Sequence, residues 1–89
     1  MLFRLYIGSN NTTKRLESAK AIGLISKLFK GFTAMQGIGY WEGKPEKSLI
    51  VEIETDEPNA VKLLAQGLCK ELNQQAVAVA EIGKMSFIS

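Results

Sequence analysis

Eighty-nine residues predict a single domain spanning 1–89 with a thin stability margin, and a hydrophobic share of 46% suits a packed globule rather than a disordered chain. With no histidine and one cysteine, the chain has no imidazole base, no ordinary zinc site and no internal disulfide, which fits a reducing compartment. A formal net charge of +2 is too mild to mark nucleic acid as a partner.

Leu2 to Gly8 alternates as a strand does, with Phe3, Leu5 and Ile7 on one face and Arg4 and Tyr6 on the other. Arg4 interrupts the opening apolar run, which reads as neither signal peptide nor membrane span. The expected location is therefore the cytoplasm, with no membrane partner. A polar run, Ser9 to Thr13, leads into a helix predicted from Thr13 to Lys30. Its apolar stripe is Ala21, Ile22, Ile25, Leu28 and Phe29, with Leu16, Ala19 and Gly23 on the opposite side. Gly31 stops the helix.

A strand follows from Phe32 to Trp41, broken in texture by Gly37 and Gly39. Glu42 to Lys47 reads as a charged turn, and Ser48 to Thr55 as the clearest strand, with Leu49, Val51 and Ile53 facing the core. Asp56, Glu57 and Pro58 predict a capped helix start with an acidic first turn. The strongest helical period is Val61, Leu64, Ala65, Leu68 and Leu72, ended by Asn73 and Gln74. Gln75 to Ile82 predicts another strand, and Lys84 to Ile88 a short fifth one. The order β-α-β-β-α-β gives the α+β class and a ferredoxin-like sandwich, an antiparallel sheet with two helices on one face. The other face is left open for subunits or ligand, and fold alone does not choose between them.

Two segments carry candidate chemistry. Ser9, Asn10, Asn11, Thr12, Lys14 and Arg15 join a strand to a helix start, where unpaired N–H groups, hydroxyls, amides and two cations converge on an anion; the alternative is a capped turn followed by solvated cations. Tyr40 and Trp41 lie beside glycines and a charged turn, and either stack on a base or pack at a subunit interface. Glu52 and Glu54 share a strand face that either binds a cation or is simply solvated. Cys69 reads as a structural thiol. No nucleophile–base pair stands out, so the expectation is a non-enzymatic protein with no catalytic residues, no metal and no cofactor.

Tyr40-Trp41-Glu42-Gly43-Lys44-x-Glu46, followed by the strand Ser48 to Thr55, resembles the hairpin of CutA-like proteins. CutA-like and P-II-like proteins are ferredoxin-like trimers with ligand clefts between subunits, so the resemblance implies a homotrimer with a shared cleft. Where CutA-like chains carry His-Pro-Tyr-Glu after the second helix, this chain has Asn73-Gln74-Gln75-Ala76, which argues against a copper role. The long nucleotide-binding loop of P-II proteins is missing as well. The segment Tyr6 to Asn11 and the Gly-Tyr-Trp hairpin look like those of small bacteriophage and mobile-element proteins. Leu5-Tyr6-Ile7-Gly8 also resembles the first strand of RNA-recognition motifs, but Lys47 to Val51 lacks the aromatics of their third strand.

The expected function is thus an oligomeric, trimeric binder of a small anionic ligand such as a nucleotide-derived signal. Ser9, Asn10, Asn11, Thr12, Lys14 and Arg15 would grip its anionic part, and Tyr40 and Trp41 its base. A phage origin would make it a sponge for a host immune nucleotide. The alternatives are an RNA-recognition-like module and a protein-interaction inhibitor or adaptor without a small ligand.

Overall fold

A computed structural model describes residues 1–10, 12–74 and 77–83, with Trp41 described in its backbone only. The elements are β1 (Leu2–Ile7), α1 (Ser18–Leu28), β2 (Thr33–Trp41), β3 (Lys44–Glu54), α2 (Pro58–Glu71) and β4 (Ala78–Gly83). They form one sheet in the order β2-β3-β1-β4, every neighbouring pair antiparallel. Two helices and an antiparallel sheet in β-α-β-β-α-β order make the ferredoxin-like sandwich. The suggested strand Lys84 to Ile88 lies outside the described residues.

Alternation decides which side of the sheet is dry. Phe3, Leu5 and Ile7 of β1 meet Leu49, Val51 and Ile53 of β3 on the helix side, where all six are buried. Val61, Leu64 and Leu68 of α2, with Leu72 at its C-cap, close this core, whereas α1 buries only Ala21 and Ile25, with Leu24 partly buried beside them. The expected α1 stripe was too wide. One sheet layer covers a limited arc of a helix, so Ile22 and Leu28 fall outside it and are exposed. Leu28 instead lines an outer groove with Leu24, Leu63, Gly67 and Leu68.

Both helix starts differ from expectation. Residues 13–17 are not helical, so Leu16 packs partly buried against the core from a loop rather than from the far side of a helix. At α2, Pro58 holds the first position, but Glu57 makes no side-chain cap bond and the first turn carries no acid. The local bond is instead Glu57 N–H donating to Thr55 Oγ1.

The β2–β3 turn is shorter than expected. Trp41 pairs with Lys44, leaving Glu42 (φ 50°) and Gly43 (φ 75°) as a two-residue turn with both residues left-handed. Lys44 to Lys47 therefore belong to β3. Counting outward from that closing pair, Tyr40–Pro45 is a non-hydrogen-bonded pair, so the missing proline N–H falls on the outer edge. β1 ends against Leu49, and the β2–β3 ribbon continues alone beyond it for about 17 Å at roughly 3.4 Å per residue.

Candidate functional site

A cleft of about 940 Å³ opens between the β1–α1 loop and this projecting ribbon. Ser9, Asn10, Lys14, Arg15 and Leu16 line one wall, and Gln36, Glu42, Lys44, Pro45, Glu46 and Lys47 the other. Four cations thus face two carboxylates, and none of the four has a carboxylate oxygen within 4.0 Å among the described residues. An excess of unpaired positive charge in a concave site attracts anions.

The loop wall is built by Asn10. Its carbonyl Oδ1 accepts the N–H groups of Thr12 (2.8 Å) and Thr13 (3.1 Å), and its amide donates to Glu17 Oε1 (2.6 Å). Asn10 N–H donates to the Arg15 carbonyl, Lys14 N–H to the Asn10 carbonyl, and Arg15 N–H to Thr13 Oγ1. Lys14 takes φ 62° to close this ring. The loop is stapled from below: Gln74 Nε2 donates to the Gly8 carbonyl, and Asn73 Nδ2 to Thr12 Oγ1.

These contacts change how an anion can be held. The helix begins at Ser18, three residues past Arg15, and the N–H groups from Asn10 to Arg15 described here are consumed within the loop. The anticipated cradle of free N–H groups between Asn10 and Arg15 is therefore not formed, and the first residues of α1 do not line the cleft. Side-chain cations, Lys14 and Arg15 with Lys44 and Lys47, supply the positive charge instead.

The expected site residues separate. Ser9, Asn10, Lys14 and Arg15 line the cleft; Thr12 does not and is tied to Asn73; Asn11 lies outside the described residues. Tyr40 is 71% exposed and pairs with the lining residue Pro45, which sets it on the same sheet face at the cleft rim. Trp41 holds the alternate strand position, opposite Lys44, with its side chain outside the description. Lys44, Glu46 and Lys47 were overlooked because their segment reads as a solvated turn. Gly43 alone hinted at a tight turn, and pairing with β2 is what places them on a strand.

The open sheet face is organised in rows. Ala78, Tyr6, Ile50 and Met35 align across all four strands, and beside them Ala80, Arg4, Glu52 and Thr33 do the same. Arg4 Nε and Nη2 donate to Glu52 Oε2 at 2.8 and 2.5 Å, and Nη1 to the Tyr6 hydroxyl at 3.5 Å. The Tyr6 hydroxyl and then Glu52 raise the guanidinium pKa above its ordinary value. Glu54 accepts the N-terminal ammonium at 2.6 Å, so Glu52 and Glu54 each have a cation from the protein itself. Among the described residues there is no group of three or more metal-ligating side chains. No described helix is long and apolar enough to cross a membrane.

No protein-family model matches the chain, and no curated protein matches its sequence. Solved structures do share its fold. A phage SAM lyase in the apo state superposes with a TM-score of 0.60 at 19% identity, covering 88% of this chain and 75% of the lyase. A DUF3240 family protein from Shewanella baltica gives 0.60 at 12% identity over 99% and 96% of the two chains. The divalent ion tolerance protein CutA1 from Ehrlichia chaffeensis gives 0.51 at 14% identity over 98% and 84%. The CutA-like and phage-associated likeness of the sequence is thus a likeness of fold.

One expectation falls here. A non-enzymatic role was inferred from the lack of a nucleophile–base pair, yet an enzyme, the phage SAM lyase, is built on the same fold. Orientation and fixed charge can drive a reaction without such a pair, so its absence excludes less than it first suggests.

Proposed function

We propose that this is a small oligomeric protein that takes up an anionic nucleoside derivative in the cleft between the β1–α1 loop and the β2–β3 ribbon. The observation that carries the reading is the set of four unpaired cations on facing walls, Lys14 and Arg15 against Lys44 and Lys47. The anionic group sits among them, and Tyr40 at the rim offers an aromatic plane to the base. S-adenosylmethionine joins the nucleotides as a candidate because a phage SAM lyase shares the fold. It is a net cation, so it fits less well than a nucleotide: its carboxylate suits the cations, while its ammonium and sulfonium need Glu42 and Glu46.

The open sheet face supports the oligomeric part of this reading. The apolar row Ala78, Tyr6, Ile50, Met35 lies on a sheet face that no described helix covers, and covering it with a second copy removes that surface from water. A trimer is the arrangement proposed, with the cleft completed by a neighbour.

Thermal shift against S-adenosylmethionine, AMP, ADP, ATP and cyclic dinucleotides tests the ligand, since a thousandfold excess over Kd stabilises by about 4 kcal/mol. Chromatography of the same incubations reads conversion, and native mass spectrometry reads assembly. At least one of these ligands is expected to raise the unfolding temperature of the wild type and to lose that effect in K14A/R15A. A rise that survives the double substitution would move the ligand elsewhere.

A further inference from the structure

We infer that Glu46 is a built-in competitor for the anion: its carboxylate occupies the Ser9 N–H that a bound phosphate or carboxylate group would otherwise take. This rests on the anion-binding reading of the same cleft. Ser9 N–H donates to Glu46 Oε1 at 3.0 Å, and both residues line the cleft. The N–H groups of Asn10, Thr12, Thr13, Lys14 and Arg15 are fixed within the loop itself. Ser9 is different. Its partner is an exposed side chain from another element, which can swing away without unravelling the loop.

Two further features single out this contact. Glu46 lies among Lys14, Arg15, Lys44 and Lys47, yet none of their nitrogens comes within 4.0 Å of its carboxylate. Its carboxylate is therefore spent on a backbone donor rather than on neutralising a cation. At position 8, an added Cβ would stand 3.2 Å from Glu46 Oε1, so glycine there leaves room for the carboxylate to reach the backbone. Ser9 itself stays anchored when Glu46 leaves, because its hydroxyl donates to the Lys47 carbonyl at 3.3 Å. Departure of Glu46 thus exposes a positioned donor and removes a like charge in one motion. The ligand group this favours is a compact anion, phosphate or carboxylate.

Calorimetric titration of wild type, E46A, E46Q and K14A/R15A with inorganic pyrophosphate and with ADP tests the inference. E46A is expected to bind both about five- to tenfold more tightly, the effect of one like charge in a partly solvated site. E46Q, which loses the charge but can keep the Ser9 contact through its amide oxygen, is expected to gain less than E46A. It also remains informative if E46A fails to fold. Binding unchanged or weakened in both variants, with wild-type binding lost in K14A/R15A, would overturn the competitor role and leave the cleft reading standing. Absence of binding in the wild type and in both Glu46 variants would overturn the two together.

Discussion

One strand, β3, serves two regions that behave in opposite ways. From Leu49 to Glu54 it lies between β1 and β2, and Leu49, Val51 and Ile53 are buried. From Lys44 to Lys47 it is paired on one side only, and every residue is exposed. What changes is the company the strand keeps: β1 stops at Ile7, opposite Leu49. Stability is concentrated between Leu49 and Glu54 and the candidate chemistry between Lys44 and Lys47. An arm that contributes little to the core is free to carry charge.

The comparison breaks most visibly in unfolding experiments. Leu68→Ala, at a fully buried position of α2, is expected to cost about 2–5 kcal/mol in a denaturant titration. Tyr40→Ala on the arm is expected to stay within roughly 0.5 kcal/mol of the wild type. Comparable losses for the two would mean that the arm belongs to the folding core. Next in size is the turn, where Gly43→Ala places a side chain at φ 75° and is expected to cost about 1 kcal/mol. Smaller still is Glu42→Asn, expected to add about 0.5 kcal/mol, the low end for stabilising substitutions, since asparagine followed by glycine suits a turn with both residues left-handed. Because Glu42 also lines the cleft, the same substitution removes a like charge and is expected to tighten anion binding modestly; unchanged affinity would place the turn outside the site.

The sequence made the core half of this contrast legible and left much of the arm hidden. Phe3, Leu5 and Ile7 alternate with polar neighbours, and Val61, Leu64, Leu68 and Leu72 recur at helical spacing, so hydrophobic period alone places them. The arm has no such period. Pro45 and three charges look like a loop, and only pairing with β2 makes them a strand. The β1–α1 loop was partly readable. Its Asn, Thr and Ser content signals turns, but that same content uses up the N–H groups expected to face a ligand. Contacts across the fold, Ser9 with Glu46 and Gly8 with Gln74, join residues 37 and 66 positions apart and have no local signature. Reading the chemistry from residue types alone also went too far when it excluded an enzyme, since the fold is one that an enzyme uses.

The central claim is that the cationic cleft at the base of the arm receives an anion-bearing ligand. Amide chemical-shift mapping by NMR during a titration with ATP tests it most directly. The perturbed amides are expected to be Ser9, Asn10, Lys14 and Arg15 together with Lys44, Glu46 and Lys47, with Tyr6 and Met35 on the open sheet face unmoved at constant assembly. Shifts confined to Tyr6, Arg4, Ile50 and Met35, or no saturable shift in the loop and arm, would contradict it.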